Sequence, residues 1–216
     1  LMDIAVINYF EENNLQLPYH ELKKIDEIPF DFSRRRLTVV MEADGHQLMI
    51  TKGAVEEMEA VCSHVNINGE VMEITEDLRQ QMRKVNRRLN EQGMRVLTVA
   101  TRKDAHSDAV YSVADEKEMT IIGFMGFLDP AKKSAATAIH SLQGHGVNVK
   151  VLTGDNEIVA QKVCSDVGID AQRFLLGTDI DQMSDEELAS VTEEVNLFAK
   201  LHPMQKSRII AAIQSK

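Results

Sequence analysis

The sequence predicts an α/β protein in two successive parts. An α+β nucleus on an antiparallel sheet takes residues 1–120, and a partial parallel α/β unit takes residues 121–216. Two observations carry this. In the first part, alternating apolar and polar runs are separated by Asp44-Gly45 and Asn68-Gly69, dipeptides suited to two-residue hairpins. In the second part, short β-branched runs alternate strictly with helix-length amphipathic segments, the pattern of right-handed βαβ units. The break is expected within 116–126, after the polar stretch from Lys103 to Asp115. A chain of 216 residues, 44% apolar and 27% charged, is long enough to bury a core and is globular in composition.

The first element is a helix over residues 2–10, with Ile4, Val6, Ile7 and Phe10 at helical spacing. A strand-rich region runs from Lys24 to Glu73. There Leu37, Val39 and Met41 alternate with Thr38, Val40 and Glu42, and Asp44-Gly45 returns the chain through Leu48, Ile50 and Thr51. A helix over 53–61 interrupts the strands. A longer helix over 76–92 carries Leu78, Met82, Val85 and Leu89 on one face, with Thr75 as N-cap and Gly93 as its stop. A strand over 95–101 follows. The second part then reads strand 119–128, helix 130–142, strand 147–152, helix 156–167, strand 173–176, helix 184–194, strand 196–199 and a last helix from Pro203.

Several classes are disfavoured at once. A formal net charge of −10 argues against a nucleic-acid partner, whose backbone requires clustered positive charge. The one basic run, Arg34-Arg35-Arg36, reads as a solvated strand edge. The longest apolar run, 121–128, is broken by Gly123 and Gly126 and is far short of the ~20 residues of a membrane helix. No secretory or transit signal is present. Cys62 and Cys164 fall on expected helices among apolar neighbours, without ligand spacing, and read as buried thiols of a reducing compartment. Seven scattered histidines argue against a Cys/His metal site.

Chemistry concentrates at three turns expected on one edge of the parallel sheet: Asp129-Pro130, Thr153-Gly154-Asp155, and the 200–206 segment bearing Lys206. A strand entering Thr-Gly-Asp and then a helix offers backbone N–H groups and a positive dipole end to an anion such as phosphate. Each turn also has a plain alternative. Thr-Gly-Asp serves as turn and N-cap, Asp129-Pro130 as N-cap and N1 proline, and Lys206 as a solvated charge.

These segments occur in this order, at about these separations, in P-type cation-transporting ATPases. Asp31-Phe32-Ser33-Arg34 resembles that family's Phe-Ser-Arg segment and Thr51-Lys52-Gly53-Ala54 its Lys-Gly-Ala signature. Met94-Arg95-Val96-Leu97 sits where the family carries an arginine before a strand. The resemblance covers essentially the whole chain. Within the family, the stretches from Ile28 to Arg36 and from Thr153 to Glu157 look most like bacterial magnesium-importing pumps.

The resemblance implies that the first part is a nucleotide-binding domain, inserted into a phosphorylation domain of haloacid-dehalogenase type to which the second part belongs. The resemblance implies ATP and Mg²⁺ as ligands and, by subfamily, Mg²⁺ as the whole pump's cargo, carried through membrane helices that this sequence does not contain. The setting implied is the cytoplasmic side of an inner or plasma membrane protein. By position, Phe32 is implied to stack on adenine, with a core phenylalanine on an edge strand as its alternative. Lys52 is implied to line the adenine pocket, Gly53 to permit close approach, and Asp3 to lie near the adenine amino group. Arg34 and Arg95 are implied to face the triphosphate and Asp129 to hold the ribose or the hinge. Thr153 and Gly154 are implied to bind the transferred phosphoryl group, with Asp155 near the same nucleotide and Lys206 offsetting charge during transfer.

The departures are equally specific. Asp-Lys-Thr-Gly-Thr, whose aspartate the family phosphorylates, is absent, and so is Gly-Asp-Gly-x-Asn-Asp, which holds magnesium in the family. Asp129-Pro130 continues Ala131-Lys132 where the family usually has Pro-Arg, and Leu37 stands where many calcium pumps have lysine. Leu1 is no initiator and both ends are uncapped helices, so an excised piece of a longer polypeptide is expected, inactive alone toward ATP. Two further readings stay open: a phosphatase of the same superfamily with its own nucleophilic aspartate, and a non-catalytic nucleotide-sensing module.

Overall fold

Alternating residues build seven strands into one mostly antiparallel sheet. They are β1 (Leu22–Asp31), β2 (Arg36–Ala43), β3 (His46–Gly53), β4 (Cys62–Ile67), β5 (Glu70–Glu73), β6 (Met94–Lys103) and β7 (Met119–Leu128), in spatial order β1-β2-β3-β6-β7-β4-β5. The computed structural model describes residues 2–16, 22–43, 45–103 and 110–215. The chain divides into two compact units, Leu1–Asn86 with Val96–Phe127 and Arg87–Arg95 with Leu128–Lys216.

In the first unit the expected hairpins form. Ala43 pairs with His46 across the first turn, of which Asp44 lies outside the described residues. Asn68 and Gly69 both take positive φ, at 54° and 94°, as the second two-residue turn requires. Register sets Thr38, Thr51 and Ala100 in one row and Val40 and Met49 in the next, all fully buried. Helices α1 (Met2–Glu12), α2 (Val55–Glu59) and α3 (Glu76–Glu91) complete the unit. Met58 of α2 and Met82 of α3 enter the same core as Val40, Met49 and Ala100. Thr75 caps α3 by accepting the Leu78 amide at 3.3 Å.

Two local expectations are corrected. Cys62 opens β4 and is not on a helix, because β3 runs on to Gly53 and leaves α2 only five residues. Strand 119–128 joins the large sheet, pairing parallel with β4 through Cys62↔Met119 and Val65↔Ile121, and not the small parallel sheet. The reason is one-sided burial. Met119 and Ile121 are buried while Ile122 is half-exposed, whereas a strand inside a helix-covered parallel sheet is apolar on both faces.

The second unit is built on β8 (Val151–Leu152), β9 (Phe174–Leu176) and β10 (Leu197–Ala199), parallel and in the order β8-β10-β9. Its helices are α4 (Lys133–Gly144), α5 (Glu157–Val167), α6 (Gly177–Gln182), α7 (Asp185–Val191) and α8 (Pro203–Gln214). The central strand shows why they fall on both faces. Leu197 and Ala199 join a core with Ala160, Cys164 and Val167, while Phe198 between them joins one with Ile180, Leu188 and Ile209. A period of two serves two cores. Among the described residues, no helix is long and apolar enough to cross a membrane.

Candidate functional site

In the first unit, the turn after β1 is organised by Asp31. Its carboxylate accepts the Ser33 amide at 2.9 Å and the Arg34 amide at 3.0 Å, and it also accepts the Ser33 hydroxyl. These bonds hold the Asp31 carboxyl below the usual carboxylate range, the Ser33 hydroxyl first among them. The turn lifts Phe32 clear of the surface, 78% exposed, with Phe30 edge-on to it at 5.3 Å and 84°. The alternative of a core phenylalanine does not hold.

Below the turn lies a network that the sequence reading missed. The Glu116 side chain is fully buried. Its oxygens accept Arg34 Nη1 at 2.8 and 2.7 Å, Arg36 Nε at 2.7 Å and Thr38 Oγ1 at 2.8 Å. Because Thr38 donates to Glu116, Thr51 supplies the proton of the 2.8 Å Thr38–Thr51 contact. Burial pushes the Glu116 pKa up, but the bonds from Arg36, Thr38 and Arg34 outweigh it and hold the carboxyl below its ordinary value. Arg34 and Arg36 are therefore not a solvated strand edge. Their side chains are only 16% and 12% exposed, because a buried anion draws them in. Arg34 Nη2 also donates to the Pro29 carbonyl at 2.7 Å, so the guanidinium placed by resemblance at a triphosphate is engaged within the unit.

Gly53 explains how the turn sits so low. A Cβ there would lie 2.6 Å from Arg36 Cβ and 3.0 Å from the Arg35 carbonyl, so the close approach that this glycine allows is made by the chain itself. Lys52 points to the other face of β3. It stands in a row with Leu37 and Val99 and next to Ile50, all half-buried, and Nζ donates to Asp3 Oδ1 of α1 at 2.9 Å. That hydrogen bond, with the attraction of the ammonium charge, lowers the Asp3 pKa. The first unit thus presents an exposed aromatic ring, and separately a lysine on a half-apolar sheet face with an acid already against it.

In the second unit, Thr153-Gly154-Asp155 follows β8 and is laced to the end of β10. Thr153 N donates to the Phe198 carbonyl at 2.9 Å, Leu201 N to the Thr153 carbonyl at 3.0 Å, and Lys200 N to the Asp155 carbonyl at 2.8 Å. Thr153 Oγ1 donates to Asp155 Oδ2 at 2.9 Å and accepts the Asp155 amide at 3.0 Å. A Cβ on Gly154 would press to 3.2 Å from the Leu201 carbonyl. The capping of α5 falls to Asn156, whose side chain accepts the Ile158 amide at 2.8 Å, so Asp155 is not spent as an N-cap. Asp129 is not a cap either, since α4 begins at Lys133 with Lys132 as its N-cap.

Arg95 draws these acids together, donating to Asp155 Oδ2 at 3.0 Å and approaching Asp129 Oδ2 at 3.6 Å. Lys206 lies half-buried in the first turn of α8, and among the described residues it pairs with no carboxylate and is not bonded to Thr153 or Asp155. Lys200 and Glu157, which the sequence reading did not single out, form an ion pair of 3.1 Å beside the turn. Among the described residues, no three His, Cys, Asp or Glu side chains come together to hold a metal ion. Asp129 and Asp155 converge on a guanidinium instead, so this set does not by itself fit Mg²⁺.

The first unit thus carries an exposed aromatic ring on a mostly antiparallel sheet, and the second a hydroxyl-glycine-carboxylate turn on a parallel one. The family model for the P-type ATPase cytoplasmic domain N matches residues 1–134, and the chain belongs to that family. It is 41% identical over 215 residues to "Magnesium-transporting ATPase, P-type 1" of Escherichia coli K12, covering 99% of this chain and 24% of that protein. It is 44% identical over 218 residues to a protein of the same name from Salmonella typhimurium LT2, with the same coverage. A calcium-transporting ATPase of Listeria monocytogenes is 28% identical over 220 residues, or 99% of this chain and 25% of that protein. The chain thus spans about a quarter of the length of the curated relatives it matches.

Proposed function

We propose that this chain is the ATP-binding cytoplasmic part of an ion-motive pump, and that the pump moves Mg²⁺. The observation that carries the reading is Phe32, a ring held out at 78% exposure on a turn whose base is fully buried. An aromatic so displayed offers a purine a stacking face worth about 1–3 kcal/mol. Lys52 and Asp3 supply a cation and an anion on the half-apolar face of β3, suited to the ring edge of adenine. The magnesium assignment rests on relatives that carry that ion in their names over nearly the whole of this chain.

In this reading Thr153 and Gly154 receive the transferred phosphoryl group by a hydroxyl and backbone amides. Lys206 supplies positive charge, and the half-exposed Arg95 re-pairs from Asp129 and Asp155 to the arriving phosphates. Phosphoryl transfer is mostly positioning and electrostatics, which such a set provides. The acceptor in the whole pump is an aspartate carboxylate that becomes an acyl phosphate as ADP leaves. The Asp-Lys-Thr-Gly-Thr string that would hold it is not in this sequence, so the chain alone is expected not to turn over ATP.

Titrating ATP into the isotopically labelled chain tests the reading. Amide shifts are expected at Phe32, Lys52 and Gly53; their absence at millimolar ATP overturns it.

A further inference from the structure

Glu116 stands far from Phe32 in sequence and has no face open to a ligand, yet it is joined to the chain on both sides of the Phe32 turn. Through Arg34 it reaches the Pro29 carbonyl before the turn, and through Arg36 the first residue of β2 after it. Through Thr38 and Thr51 it reaches β3, next to Lys52. The turn's other restraints are local: the Asp31 cap, the Arg35 amide donating to the Asp31 carbonyl at 2.7 Å, Arg35 at a φ of +46° and 3.8 Å from Glu57, and the bond from the Ala54 amide to the Arg35 carbonyl at 3.1 Å. The left-handed Arg35 is itself a strained conformation for a residue with a Cβ, which persists only where surrounding contacts hold it.

We propose that Glu116 is a positioning residue for base binding, fixing the 31–36 turn so that Phe32 is presented as a preorganised stacking face. A fully buried carboxylate ringed by two guanidinium groups and a threonine hydroxyl holds Arg34 and Arg36 in place, and through them the two sides of the turn. Preorganisation favours affinity because the ring is already ordered before the nucleotide arrives. The inference rests on the nucleotide reading above and adds to it a residue that touches no nucleotide.

A double-mutant cycle tests it with the 216-residue chain, measuring Kd for ATP and for inorganic tripolyphosphate by calorimetry. Phe32→Ala is expected to weaken ATP binding by about tenfold, in keeping with one lost stacking contact. Glu116→Gln is expected to weaken ATP by a similar factor, leave tripolyphosphate binding unchanged, and add nothing further in the Phe32→Ala background. Thr38→Val, which removes one hydroxyl from the network while both arginines stay paired, is expected to give a smaller loss in the same direction, and it serves if Glu116→Gln does not fold. Losses that simply multiply, or a folded Glu116→Gln or Thr38→Val chain that binds ATP as the parent does, overturn the positioning role and leave the nucleotide reading standing. A parent chain that binds no ATP overturns both.

Discussion

Two arginine–carboxylate networks, one in each unit, are made of the same groups and differ in their access to water. Under the Phe32 turn, Glu116 is fully buried and Arg34 and Arg36 are 16% and 12% exposed. At the Thr153 turn, Arg95 is 41% exposed and its partners Asp155 and Asp129 are 31% and 67% exposed. A buried pair cannot exchange its partner for water, so losing one member strands the other, and the network behaves as scaffold. A half-exposed pair in high dielectric is worth little and exchanges readily, so its arginine and acids can re-pair when an anion arrives. Burial, not chemistry, separates the network that is fixed from the one that can exchange.

The comparison breaks most visibly at Glu116. Glu116→Ala leaves two guanidinium groups without their anion and is expected to cost about 3–5 kcal/mol in urea unfolding. Acid sharpens the same point. Its folded pKa lies below the ordinary 4.5, so its stabilisation is full above that value and is lost as pH falls through the lower folded pKa. A Glu116→Gln chain should lack this component of the acid transition. Next in size, Gly53→Ala forces a Cβ to 2.6 Å from Arg36 Cβ and is expected to cost about 1–3 kcal/mol by thermal melting. The smallest effect belongs to the exposed network: Arg95→Met should change stability by about 0–1 kcal/mol. A large loss there would erase the distinction between the two networks.

Much of this was legible in the sequence where local chemistry decides. Asn68-Gly69 dictates its turn through φ, Thr75 its cap through a hydroxyl, and the central β10 its burial through three apolar residues in a row. The family was legible because short motifs recur in order. Glu116 was not, because one acid among Asp115, Lys117 and Glu118 near the end of a polar stretch carries no periodicity. A signal did exist in β2. The more apolar set, Leu37 and Val39, is only half-buried, whereas Thr38 and Val40 are fully buried. An arginine at 36 shares that buried face, and such a face needs an anion from elsewhere in the chain. The sheet joined by β7 was hidden for a similar reason, since strand partners are chosen by burial on both faces and not by alternation alone.

The two cysteines give this molecule a pair of internal clocks. Cys62 is buried in the first unit, where burial pushes its thiol up to about 12, and Cys164 is buried in the second with its thiol also raised. Only the thiolate attacks an alkylating reagent, so neither sulfur reacts at an appreciable rate until its surroundings open. With one thiol per unit, the labelling rates of the two sites report the opening of each unit separately, without any engineered probe.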